Sequence, residues 1–286
     1  MKRDRLGNMD YWDKWIRFGE QAIFESKQIV LTPPGDPRYR PQFIFGIVQD
    51  SYELALRRYS RGDPISELSV FDDVMEFWEE SRRLEEEVWS PEQFHTHKSW
   101  TVNFDLYIVC FWLVGLALTL DVPEKQWERL LVLVGNEGED LLLDSVIFSR
   151  KTGRKIGDNL CFPKAYRKLL DVTLAPTEQQ PKVLRAYLDG WYTGLKEAGP
   201  TTSPSSHRTP YWYKFGDENF EGGAYFGRWC IEAVAVAKAF NIDDTLCLDH
   251  PHYPGDLLKD GRSPRYPDTS ALVQKNWLGR FFSGKP

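Results

Sequence analysis

The chain has 286 residues, 42% of them apolar and 27% charged, with a formal net charge of −6. That composition excludes a disordered or collagenous chain and describes a soluble globular protein, long enough for one large domain or two small ones. The four cysteines, Cys110, Cys161, Cys230 and Cys247, are widely spaced with no CxxC pair, so they read as reduced thiols of a cytoplasmic protein.

In chain order the pattern is helical. MKRDRLGNMDYWDKW carries charges and tryptophans where a secretory leader has an apolar run. From Tyr11 to Val30, Trp12, Trp15, Ile16, Ile23 and Phe24 recur at helical intervals. TPPGDPRYRP, with four prolines in ten residues, is a loop. A second helix is predicted from Phe43 to Ser60, capped by Gly62 with Pro64 beyond. Ser69-Val70-Phe71-Asp72 has the form of a capping box opening an acidic helix. On that helix Val70, Val74, Phe77, Leu84 and Val88 share one face and Asp72, Glu76, Glu79, Arg83 and Glu86 the other. Ser90-Pro91 supplies an N-cap and a first-turn proline for the next segment.

Leu106 to Leu120 is 15 residues without a formal charge. A bilayer span needs about 20, so this run is predicted as the buried central helix of an all-α, bundle-like array, with no membrane partner. Shorter helices are predicted at Pro123–Val134, Asp140–Phe148 and Pro163–Thr173, and a longer one at Val183–Ala198, stopped by Gly199-Pro200. GPTTSPSSHRTP reads as an exposed loop. Tyr225 to Phe240 is apolar almost all round and reads as one buried helix. No alternating strands stand out. The expected organisation is two helical units, 1–120 and 121–286, packed as one body.

Charge is concentrated. Between Asp63 and Glu92 lie eleven carboxylates and only two bases, Arg82 and Arg83, so this stretch carries nine net negative charges and the rest of the chain is slightly basic. Carboxylates repel phosphates, which argues against direct binding of nucleic acid and for a basic partner. Asp72, Asp73, Glu76, Glu79 and Glu80 are the first candidate interface; Asp217, Glu218 and Glu221, beside the Ser/Thr/Pro loop, are a second.

Two other constellations carry chemistry. LCLDHPHYPGDLL brings His250, His252 and Asp256 close in sequence, a donor set that a metal-dependent hydrolase would use. It lacks the helical spacing of a zinc-protease motif, and the two prolines read as a stiff corner. No metal or other cofactor is expected. Glu232 lies within the apolar run after Tyr225, with Arg228 one turn earlier, and a structural ion pair between them is the expectation. There is no P-loop, no GxSxG and no GxGxxG opening a helix after a strand.

RDRLGNMDYWDKWI and SYELALRRYSRGDPISEL resemble the first domain of the PoNi immunity proteins; LRAYLDGWYTGLKEAG, GGAYFGRWCIEAVAVAKAFNIDD and HPHYPGDLL resemble their second domain more closely. Tyr225 to Trp229, Glu232, Asp243, Asp244, Tyr253, Pro254, Asp256 and Leu257 match the family's C-terminal pattern. The resemblance implies an all-α protein that is not an enzyme and binds a cognate PoNe-type toxin, a DNase of the PD-(D/E)xK superfamily delivered between competing bacteria. It also implies that Trp229, Glu232, Tyr253, Pro254 and Asp256 are scaffold. The interface residues follow from charge clustering and not from the resemblance.

Overall fold

The computed structural model describes residues 1–31, 35–68, 70–100, 102–203, 207–218 and 220–268. Among them are ten α-helices and two isolated β-bridges, with no strand. The helices are α1 Met9–Leu31, α2 Arg40–Arg61, α3 Phe71–Val88, α4 Pro91–Lys98, α5 Phe104–Thr119, α6 Glu124–Val134, α7 Leu141–Phe148, α8 Pro163–Leu174, α9 Gln180–Gly194 and α10 Ile231–Ala239. The fold is all-α.

α5 is the charge-free run of the sequence. Every residue from Leu106 to Leu118 is buried. Its partner is α10, and Gly115 sets the approach: a Cβ there would lie 2.9 Å from Ile231 Cγ2 and 3.0 Å from Ala235 Cβ. A glycine facing small and β-branched side chains lets two apolar helices close up with few voids. α7 and α8 also pack on α10, α8 pairs with α9, and α6 bridges α3 and α5. On the other side α2 lies between α1 and α3. One buried apolar cluster runs from Ile23 to Leu257. Among the described residues no helix is long and apolar enough to cross a membrane.

Several local signals act as read. Gly62 ends α2 at φ +110°, and its N–H donates to the Arg58 and Tyr59 carbonyls; a left-handed C-cap is where glycine avoids a Cβ penalty. Ser90 and Gln93 form a reciprocal capping box with Pro91 in the first turn of α4. Asp140 caps α7 by accepting from the Leu142 and Leu143 amides.

Three expectations need correction. Tyr225 to Cys230 is not helical; α10 begins only at Ile231. Gly227 sits at φ +104°, and a Cβ there would meet Trp229 Nε1 at 2.2 Å and Ser60 Oγ at 2.4 Å. The segment instead runs against the His250–Tyr253 turn, where Cys230 N donates to His252 O at 2.8 Å. Apolarity all round marks burial, which an extended segment satisfies as well as a helix. α9 begins at Gln180 and ends at Gly194, earlier than read, and Glu197 just beyond takes φ +54°. At the start of α3 the cap residue is Val70, whose side chain makes no capping bond; Ser69, the predicted capping hydroxyl, lies outside the described residues, as do residues 204–206 of the Ser/Thr/Pro loop.

Candidate functional site

α3 turns Val74, Phe77, Trp78 and Leu84 inward, which leaves Asp72, Glu76, Glu79, Glu86 and Glu87 exposed and Asp73 and Glu80 half-buried. The carboxylates do share a side of the molecule. They are less bare than the sequence suggests, because neighbouring helices reach across to them. Lys27 of α1 pairs with Asp73 at 2.7 Å. Arg129 of α6 grips Glu79 with two bonds of 2.8 Å, and Gln126 donates to Asp72 at 2.8 Å. Arg83 joins Glu80 and Glu87 along the helix itself. The guanidinium bonds hold Glu79 and Glu80 below the usual carboxylate range. Glu76 makes no ion pair among the described residues.

The second predicted acidic patch is tied in the same way. Arg228 pairs with Asp217 at 2.7 Å and lies over the Tyr192 ring. Lys214 pairs with Glu218 at 2.9 Å, and Glu221 is exposed in the 3-10 turn Phe220–Gly222. Arg228 is therefore not the partner of Glu232, contrary to the i−4 expectation. The backbone at 225–230 is not helical, so the helical spacing behind that expectation does not exist there. Glu232 is fully buried and takes a 2.9 Å bond from the Tyr166 hydroxyl. Burial pushes its carboxyl up to about 7.

The remaining motif residues knit the chain ends to the core. Trp229 Nε1 donates to Ser60 Oγ at 2.7 Å and its ring meets Tyr59 edge-on. The Tyr253 hydroxyl donates to Asp244 at 2.8 Å, and Arg262 pairs with the same carboxylate. Pro254 leads into the 3-10 turn Gly255–Leu257. Asp256, fully buried, accepts from Arg3 at 2.6 Å, Arg265 at 2.7 Å and the Ser263 amide at 2.6 Å. A carboxylate so engaged is not placed to bind a metal. His250 Nδ1 accepts from the His252 amide, and His252 Nδ1 bonds the Arg228 carbonyl. Burial pushes His250 down to about 4, leaving a neutral ring in a corner. Among the described residues no group of three or more His, Cys, Asp or Glu is arranged to hold a metal ion.

One partly polar cleft carries no signal in the sequence. A cleft of about 350 Å³ opens between α2, the end of α3, α4, the start of α5 and Tyr211. Its walls include Phe45, Gly46, Gln49, Glu85, Trp89, Lys98 and Asp105. Lys98 lies over the Phe45 ring and pairs with the buried Glu85 at 2.8 Å. Tyr211 donates to Glu53 at 2.6 Å and shares a 2.9 Å bond with Tyr52. Asp105 accepts from the Tyr211 amide at 3.2 Å, and burial raises its carboxyl to about 6. No run of like residues marks the cleft, because its walls come from five segments far apart in sequence.

Known proteins share both the fold and the motifs. The crystal structure of protein PA2201 from Pseudomonas aeruginosa superimposes with a TM-score of 0.67 at 19% identity, over 91% of this chain and 90% of that one. At that identity the likeness speaks for the fold alone. No curated protein matches the chain. Two family models do: PoNe immunity protein (PoNi), N-terminal, over residues 3–132, and PoNe immunity proteins (PoNi), C-terminal, over residues 138–257. Taking up nearly the whole chain in the family's own order, they establish that it belongs to the PoNi family of immunity proteins against PoNe nuclease toxins.

Proposed function

We propose that the chain neutralises its cognate PoNe-type DNase by direct binding, with the outer face of α3 docking on the toxin's basic surface. The reading rests on one observation: α3, the most acidic helix of the chain, holds all its carboxylates except the buried Glu85 in exposed or half-buried positions. A DNase carries a positive groove for phosphates. A row of carboxylates complements that groove, speeds encounter and lines up the partners. Asp72, Asp73, Glu76, Glu79 and Glu80 are the proposed contacts, with Asp217, Glu218 and Glu221 as a second patch. The pairs with Lys27, Arg129 and Arg83 hold these side chains in place, so less rotamer freedom is lost on docking. The action is stoichiometric blocking, not catalysis, and takes place in the cytoplasm, where an incoming nuclease threatens the genome.

The experiment is a salt series on toxin association. The association rate of the chain with a catalytically inactive toxin falls about tenfold or more as salt rises from 50 mM to 500 mM, because exposed charges are screened. Glu76→Lys together with Glu79→Lys slows association at low salt by a similar factor. Glu76→Lys alone is the cleaner variant, since it breaks no ion pair among the described residues. Rates insensitive to salt and to both substitutions would remove α3 from the interface.

A further inference from the structure

Asp105, unlike the core carboxylates Glu232 and Asp140, is a cation-free carboxylate that lines an open cleft. The carboxylates of α3 are mostly matched by arginine or lysine, and the buried Asp256, Asp144 and Asp244 each have a guanidinium. Asp105 is half-buried in the first turn of α5, yet among the described residues no lysine or arginine pairs with it. Its charge is met by one backbone amide, by the helix N-terminus around it and by the nearby His207 ring. Taking a carboxylate out of water without a cation is costly, and its raised pKa registers that cost.

The surroundings add negative charge. Glu53, Asp105 and Asp50 all lie near Tyr52, with Arg57 pairing Glu53 at 3.3 Å. Glu85 uses Oε1 for Lys98 and Ser81 and leaves Oε2 with no hydrogen-bond partner among the described residues, although the side chain is fully buried. Lys98, the cation in the wall, is already engaged by Glu85. Beyond Asp105 a second hollow of about 440 Å³ continues past His95, His97 and His207, so the carboxylate sits where two hollows meet.

The cleft also has room that the chain does not fill. Gly46 lines it from the middle of α2, and a Cβ there would meet nothing within 4 Å. A glycine in a helix interior costs about 1 kcal/mol relative to alanine, and no packing contact among the described residues requires it. Trp89, stacked near His97, and Tyr211 supply aromatic walls.

We infer that this cleft is an anchor socket: it takes one basic side chain, arginine or lysine, from the toxin, with the cation against Asp105 and the aliphatic stem between Trp89 and Tyr211. The inference rests on the immunity reading and adds to it a contact separate from the outer face of α3. It gives the complex a buried charge pair, the kind of contact that sets dissociation rates, while rim carboxylates set association rates.

Binding of the purified chain to catalytically inactive toxin is measured with two variants. Asp105→Asn removes the charge and keeps the shape. Gly46→Trp plugs the cleft and leaves every carboxylate in place; its thermal midpoint confirms that it folds. Both variants are expected to dissociate at least about tenfold faster, with association rates near wild type. Two folded variants that dissociate like wild type overturn the socket and leave the immunity reading standing. A wild-type chain that does not bind the toxin at all removes that reading, and the socket with it.

Discussion

Replacing Asp256 by alanine is expected to cost about 3–5 kcal/mol of folding stability, the range for breaking a buried ion pair from one side. The residue is fully buried, and so is Arg3, one of its two arginine partners. Arg3 also donates to the Tyr59 and Asp63 carbonyls and lies over the Tyr59 ring. Its guanidinium is therefore held in place after the substitution and cannot move out to water. What remains is a buried cation beside a small cavity, with the exposed Asp260 at 2.8 Å as its remaining counter-ion. Asp256 ties residue 3 to residues 263 and 265, so the loss also frees the N-terminal segment and the Lys2–Tyr266 bridge. Urea unfolding followed by tryptophan fluorescence measures the effect. Asp256→Asn, which keeps acceptor capacity, falls between the two. A loss under 1 kcal/mol for the alanine variant would mean that the Arg3–Asp256–Arg265 cluster contributes little, and the family motif around Tyr253-Pro254 would need another explanation.

Glu232 should give the chain an inverted pH dependence. Its carboxyl is raised from 4.5 to about 7 in the folded state, mainly by burial. A raised carboxyl pKa means that the folded protein holds the proton more tightly than the unfolded chain does. The stabilisation from this group is fully present below about pH 4.5 and is lost as pH rises through 7. At 1.36 kcal/mol per pKa unit, about 3 kcal/mol is lost by pH 8. Glu232→Gln keeps an acceptor for the Tyr166 hydroxyl and has no proton to lose. The difference between the two stability curves isolates this group from every other titration. The variants should match near pH 4.5, with the glutamine form ahead by about 3 kcal/mol at pH 8. Parallel curves would show that Glu232 stays ionised in the folded protein and finds its compensation elsewhere.

What the sequence disclosed and what it hid divide along a physical line. Signals that act within a few residues were legible: the left-handed Gly62 cap, the Ser90 N-cap with Pro91 behind it and the charge-free α5. The family motifs were legible as well, because order and spacing survive where overall identity does not. Residues 225–230 were misread because a buried irregular segment and a buried helix are equally apolar; the positive φ at Gly227 marks the difference. The Glu232 expectation failed with it. Long-range electrostatics were hidden. The ties from Lys27 and Arg129 to α3 span 46 and 50 residues, and Arg3 meets Asp256 across 253. The Asp105 cleft was hidden most completely, since its carboxylate looks ordinary in sequence and gains its character from walls assembled out of distant segments.

On the proposed reading, this chain stops a PoNe-type nuclease by binding it. The direct measurement is DNA cleavage by the purified cognate nuclease, titrated with the purified chain. Cleavage is expected to fall linearly and to end near one chain per toxin, with a complex that co-elutes on gel filtration. Undiminished cleavage in the presence of excess chain, with the two proteins eluting apart, would contradict it.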